Sequence, residues 1–155
     1  MFHIVLYEPE IPQNTGNIAR TCAVTGTALH LIRPYGFMLT DKNIKRAGLD
    51  YWDFLILREY STFEEFMREH NPERIYAISS KAEKSYADSK FRDGDFFLFG
   101  NETSGLPRHI YDSFSGMRLR IPMLPDKRAR CLNLGNAAAV ILYEALRQSS
   151  FGGLR

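Results

Sequence analysis

Short, nearly unbroken apolar runs alternate with helix-like segments along this chain, and that alternation restricts its fold more than any other feature. Residues 2–7, 28–32, 54–57, 75–79, 96–99 and 119–122 read as strands. Between them fall a helix over 17–25 that stops at Gly26 and a brief one over 41–47 that ends at Gly48. A third begins at Ser61-Thr62-Phe63-Glu64, a capping box in which hydroxyl and carboxylate satisfy exposed amides, and runs to about His70. Residues 81–90 read as surface loop. The last helix starts near Asn133 and sets Leu134, Ala137, Ala138, Ile141 and Ala145 on one face. This order predicts an α/β protein with a parallel, helix-covered sheet, whose ligands bind at the carboxyl ends of its strands.

At 155 residues the chain is expected to form one domain over 1–155, since a globule of that size buries roughly 70% of its unfolded surface. Its longest apolar run, 137–143, falls far short of the roughly 20 residues that span a bilayer, so no membrane segment is expected. The first residues lack a basic leader and turn acidic at Glu8, which argues against a secretion signal. Two separated cysteines, Cys22 and Cys131, fit a reduced cytoplasmic protein.

Several chemistries are absent. The glycines form neither GxGxxG nor a P-loop, and there is no GxSxG elbow. His3, His30, His70 and His109 are too dispersed for a local ligand pair and neither cysteine has a CxxC partner, so no metal is expected.

Three polar clusters remain, each at a strand end. The first, Glu8 to Arg20, follows the first strand. It reads either as a capped turn or as amides and a guanidinium arranged for a ribose-phosphate. The second, Gly100-Asn101-Glu102-Thr103-Ser104-Gly105-Leu106-Pro107, follows the apolar strand 96–99. It reads either as a strand-to-helix turn or as a ligand loop, in which Gly100 permits close backbone approach and Glu102 accepts hydrogen bonds. The third, 118–136, holds five basic residues and one acid between 118 and 130. That local +4 leaves −2 for the rest of a chain whose total is only +2. A near-neutral total argues against a general polyanion binder, whereas a focused +4 suits a phosphate backbone; a solvated basic loop is the plainer alternative. Cys131, flanked by cations, is either a reactive thiol or a loop cysteine, and no histidine base stands near it in sequence.

In this order the clusters resemble the motifs of the SPOUT-class RNA methyltransferases. Tyr7-Glu8-Pro9-Glu10-Ile11-Pro12, Asn14-Thr15-Gly16-Asn17 and Arg20 carry the first motif. Phe99-Gly100, Glu102-Thr103 and Gly105-Leu106-Pro107 carry the second, and Leu132-Asn133-Leu134, Asn136-Ala137 and Tyr143-Glu144 the third. The likeness runs from Phe2 to about Gln148 and is nearest to the small members that methylate the ribose 2′-hydroxyl of the tRNA wobble nucleotide, cytidine or modified uridine at position 34, in leucine isoacceptors. It implies a SPOUT fold, a parallel sheet flanked by helices with a deep C-terminal trefoil knot, an exception to the rule against threaded chains.

The resemblance further implies S-adenosylmethionine as cofactor, held mostly by backbone groups around Ile78, Gly100, Ile121, Met123, Cys131 and Leu132. It implies a homodimer bridged by tRNA, with Tyr143 of the last helix at the interface. Arg20 would be the leading catalytic residue, with Asn14, Glu102 and Asn133 fixing the geometry. Arg118, Arg120, Lys127, Arg128 and Arg130 would contact tRNA phosphates. A guanidinium with a pKa above ~12 is a poor base, so Arg20 is expected to orient the hydroxyl and adjacent phosphate. Cys131 and Gly135 depart from the resemblance by standing where serines are usual, and a thiol is the weaker hydrogen-bond partner. A member acting on another tRNA position or on rRNA, or a noncatalytic RNA-binding module of the same fold, are the alternatives; intact Arg20, Glu102 and Asn133 weigh against the module.

Overall fold

A computed structural model describes residues 1–37, 52–126, 128 and 131–155. Among these, six strands are formed: β1 His3–Tyr7, β2 Ala28–Ile32, β3 Ile56–Tyr60, β4 Ile75–Ile78, β5 Phe96–Phe99 and β6 Arg118–Leu119. They make one all-parallel sheet in the order β3-β2-β1-β5-β4-β6. The chain steps outward from β1 to β3 and then resumes on the other side of β1. The strand order therefore reverses between β1 and β5, where Leu6 pairs with Phe99, and a crevice opens at the carboxyl ends of these two strands.

The helices are α1 Pro12–Thr25, α2 Phe63–His70, α3 Arg108–Ser113 and α4 Leu134–Gln148. On one sheet face α1 and α4 pack Ile18, Cys22, Ile141 and Leu142 against Leu6, Leu29, Leu31, Phe97 and Phe99. On the other, Phe66 of α2 and Ile110 of α3 cover Val5, Ile32, Ala77, Phe96 and Leu98. β1, β2 and β5 are thus covered on both faces, as a helix-covered parallel sheet requires, and apart from His3, Tyr7 and His30 they are apolar.

Some elements differ from expectation for identifiable reasons. α1 begins at Pro12, five residues before the expected start, because Pro12 occupies the first helical position, where its missing N–H costs nothing. Its end at Gly26 is as expected: Gly26 takes the left-handed conformation (φ 64°) and closes the helix. β3 runs to Tyr60 rather than Leu57, and Trp52–Phe54 is a single 3₁₀ turn. As an edge strand it exposes Arg58 and Glu59, which hides its period from an apolar scan. The cap of α2 is shifted by one residue: Thr62 Oγ1 accepts from Glu65 N at 3.1 Å while the Glu65 carboxylate accepts from Ser61 N at 2.6 Å. Residues 81–90 are not simply loop, since they hold a 3₁₀ turn at Tyr86–Asp88 and bury Ala82 and Ser89. The helix expected over 41–47 lies outside the described residues.

Beneath α2 the two-sided core contains a chain of polar rings. His3 Nδ1 meets His30 Nε2 at 3.0 Å, His30 Nδ1 meets the Tyr60 hydroxyl at 2.9 Å, and that hydroxyl meets His70 Nε2 at 2.5 Å. Burial, and secondarily the neighbouring histidines, holds His30 down to about 3 and His3 to about 4. An unfolded chain takes up these protons near 6.5, so between that pH and about 4 the unfolded state binds more protons than the fold, and stability falls as pH falls. Thermal unfolding is expected to shift to lower temperature from pH 7 to pH 5, and His3→Asn should flatten that slope. A melting temperature independent of pH over this window would contradict the assignment.

Candidate active site

The three clusters meet at the crevice between β1 and β5. Asn14 projects from the first turn of α1, Glu102 from the loop after β5, and Asn133 immediately precedes α4. Glu102 accepts hydrogen bonds from Glu10 N at 2.8 Å, Ile11 N at 3.1 Å and Asn14 Nδ2 at 3.0 Å. Asn14 Oδ1 in turn accepts from Asn133 Nδ2 at 2.8 Å. Asn133 Oδ1 caps α4, accepting from Gly135 N at 2.8 Å and Asn136 N at 3.3 Å.

The chemistry of the two ends sets both amide orientations. A carboxylate only accepts, so Asn14 must turn Nδ2 towards Glu102; the helix amides only donate, so Asn133 must turn Oδ1 towards them. That leaves Oδ1 of Asn14 facing Nδ2 of Asn133. Ile11 supplies no side-chain cap to α1, and the Glu102 carboxylate sits where the helix dipole favours negative charge. A second latch joins the same loops, the Thr103 hydroxyl donating to the Glu10 carboxylate.

These residues wall a cavity of about 1440 Å³ at the carboxyl edge of the sheet. All six residues that the resemblance assigned to the cofactor, Ile78, Gly100, Ile121, Met123, Cys131 and Leu132, line it, as do Asn14, Glu102 and Asn133. Gly100 is required for a reason other than the one expected. A Cβ there would lie 2.1 Å from the Gly105 carbonyl carbon, so the close approach is to the chain's own loop, folded back as the cavity wall. Cys131 is exposed and its thiol donates to Ser80 Oγ at 3.6 Å. A Cβ at Gly135 would come within 3.1 Å of Asn133 Oδ1, so glycine leaves the cap room.

Arg20 is exposed on α1 and lies outside the residues that line the cavity. Arg118 is half-buried, its guanidinium 4.7 Å from the centre of the Tyr111 ring and 3.9 Å from Asp112. Arg120 is fixed by its backbone, donating to Lys84 O and accepting from Tyr86 N, and its Nε is buried with no hydrogen-bond partner among the described residues. Arg128 stays exposed and forks onto Asp126, with Nη2 2.6 Å from Oδ2, which holds that carboxyl below the usual range. Lys127 and Arg130 lie outside the described residues.

The sequence left unassigned the segment after β4, Ser79, Ser80 and Lys81, together with Arg108 and Tyr111, all of which line the cavity. For Ser79, Ser80 and Lys81 the only signal was position at a strand end, whereas Arg108 and Tyr111 stand on α3 and carried none. Among the described residues no group of three or more His, Cys, Asp or Glu side chains is placed to hold a metal ion, and no helix is long and apolar enough to cross a membrane.

A parallel sheet with a polar crevice at its reversal, walled by apolar side chains and a glycine loop, defines a nucleotide- or nucleoside-binding α/β enzyme. Residues 1–143 match the SpoU rRNA Methylase family, and the chain belongs to it. It is 46% identical over 154 residues to the tRNA (cytidine(34)-2′-O)-methyltransferase of Escherichia coli strain K12, covering 99% of this chain and 97% of that protein. A solved structure described as "Structural insights into the 2-OH methylation of C/U34 on tRNA" superposes with a TM-score of 0.89 at 47% identity, covering 97% of each chain. The AdoMet-bound rRNA methyltransferase of Sinorhizobium meliloti superposes with a TM-score of 0.81 at 25% identity, covering 94% of this chain and 56% of that one.

The cavity fits an adenosyl sulfonium. Ile78, Ile121, Met123 and Leu132 offer an apolar surface suited to a purine, Gly100 leaves main-chain polar groups accessible beside it, and Glu8, Glu102 and Asp112 are the acidic side chains of a lining that also holds Lys81 and Arg108. Its volume exceeds the roughly 300–1,000 Å³ of a typical ligand pocket, which leaves space for a second nucleoside. Asn14→Ala should cost about 1–3 kcal/mol in urea unfolding, because it strips a donor from Glu102 and orphans the Asn133 amide. Combined with Asn133→Ala, the losses should fall short of additivity by more than about 0.5 kcal/mol; strictly additive losses would show that the three side chains do not act as one unit.

Proposed function

We propose that this protein transfers the methyl group of S-adenosylmethionine to the ribose 2′-hydroxyl of the wobble nucleotide, cytidine or uridine 34, of tRNA, leucine isoacceptors included. The observation that carries the proposal is the Glu102–Asn14–Asn133 bridge, which draws the three motif loops into one cavity. Near-complete coverage of the Escherichia coli relative supports the substrate. The cofactor, when bound, supplies an electrophilic methyl group on a cationic sulfur. Ile78, Gly100, Ile121, Met123, Cys131 and Leu132 hold it, and the deep trefoil knot implied by the family likeness belongs to the same loops.

Methyl transfer to a hydroxyl is an in-line displacement, so the protein must align oxygen with methyl and assist loss of the hydroxyl proton. Asn14, Glu102 and Asn133 fix the loops that set this alignment, and Arg20 orients the hydroxyl and its adjacent phosphate. The active form is a homodimer in which a second copy completes the site, a reading supported by the position of Arg20 outside its own subunit's cavity. Exposed Val140 and Tyr143 on α4 form part of the contact face. Arg118, Arg120, Lys127, Arg128 and Arg130 hold the phosphates of the anticodon arm, and the enzyme works in the cytoplasm, where its tRNA is.

Arg20→Ala should reduce methylation of an anticodon stem-loop bearing C34 by at least about 100-fold while calorimetric affinity for the cofactor stays within about twofold. Retained turnover would remove Arg20 from the mechanism. Arg128→Ala should weaken tRNA binding and lower the slope of log affinity against log salt by about one; an unchanged slope would show that Arg128 touches no phosphate.

A further inference from the structure

Three acidic side chains, Glu8, Glu102 and Asp112, line the cavity, and two of them are already committed. Glu102 accepts three hydrogen bonds from Glu10 N, Ile11 N and Asn14 Nδ2. Asp112 faces the guanidinium groups of Arg108 at 3.4 Å and Arg118 at 3.9 Å. Glu8 is different. It is half-buried, and among the described residues no cation pairs with it. Its neighbour Tyr7 is affected by it: burial first, and the adjacent Glu8 carboxylate second, push the Tyr7 phenol up to about 12.

The backbone holds Glu8 in an uncommon conformation. Its φ is 46°, in the left-handed region that non-glycine residues avoid, and its amide donates to Ile32 O at 3.0 Å. Such a conformation persists where the surroundings over-determine it, and it concentrates at ligand sites. Glu8 also stands directly after β1, at the strand-order reversal and on the cavity wall. A carboxylate placed there, with no counter-charge among the described residues, favours a cationic ligand group, because leaving a charge partly desolvated and unpaired is costly.

Resting on the function proposed above, we infer that Glu8 receives the α-ammonium group of the S-adenosylmethionine amino-acid tail. The ammonium is the suitable cation of the two that the cofactor carries: it offers N–H donors to a carboxylate, whereas the sulfonium offers none and must leave its methyl clear for the ribose oxygen. Glu8 is accordingly a binding residue that seats the tail, and no proton or group transfer is assigned to it.

Calorimetry on the purified full chain tests the assignment with three probes. S-adenosylmethionine carries both cations, S-adenosylhomocysteine keeps the ammonium and lacks the sulfonium charge, and 5′-methylthioadenosine lacks the amino-acid tail altogether. Glu8→Gln and Glu8→Ala should weaken the first two at least about tenfold and leave the third within about twofold. Unchanged affinity for all three overturns the proposal, as does equal weakening of all three, which would mark a general disturbance of the cavity. Loss confined to S-adenosylmethionine would move the contact to the sulfonium and equally overturn it. A wild-type chain that binds none of the probes would instead defeat the function on which the inference rests, whereas normal wild-type binding with an indifferent Glu8 defeats the inference alone.

Discussion

The carboxylate of Glu102 is the interaction on which the rest of the site depends. It lies 88 positions from Asn14 in sequence, yet it receives the Asn14 amide and the backbone of Glu10 and Ile11, and so fixes where α1 begins relative to the loop after β5. Through Asn14 the same constraint reaches Asn133 and the first turn of α4. The loops following β1 and β5 and the segment entering α4 are therefore linked as one polar unit above an apolar sheet. The network runs from buried Asn14 through half-buried Glu102 to exposed Asn133, and each amide in it has one permissible orientation.

The sheet makes that arrangement possible. β1 and β5 are neighbours with the strand order reversing between them, so their carboxyl ends diverge and leave a crevice that the polar loops surround. The apolar faces of Leu6 and Phe99 on one side and Val5 and Leu98 on the other anchor those strands beneath it. The charge distribution follows the same division. A net +4 falls within residues 118–130, the stretch that also carries the cavity-lining Ile121 and Met123, while the remainder of the chain sums to −2. A chain with a total of only +2 can thus meet a polyanion at one edge without being basic throughout.

What the sequence made legible was whatever repeats a strong local signal. β5 is the continuous apolar run expected, β2 is apolar but for His30, and Asn133 caps the last helix as its position suggests. The sequence motifs mark Asn14, Glu102 and Asn133 as residues that fix the site, but not the bonds among them, because sequence separation carries no distance. The start of α1 was hidden because its cap is a carboxylate from a remote loop rather than a local Ser or Asp. The need for Gly100 was visible and its cause was not: only the folded loop shows that Gly105 and Leu106 occupy the space of a side chain. The polar chain through His3, His30, Tyr60 and His70 was likewise invisible, since four residues scattered over three strands and a helix resemble nothing until the strands pair.

The central claim is methyl transfer to one ribose in tRNA. The direct measurement is incubation of the purified protein with isotopically methyl-labelled S-adenosylmethionine and total tRNA, followed by nuclease digestion and nucleoside mapping. The account predicts label on the 2′-oxygen of nucleotide 34 in a small set of isoacceptors. Label on a base, at another ribose position, or in rRNA alone would contradict it.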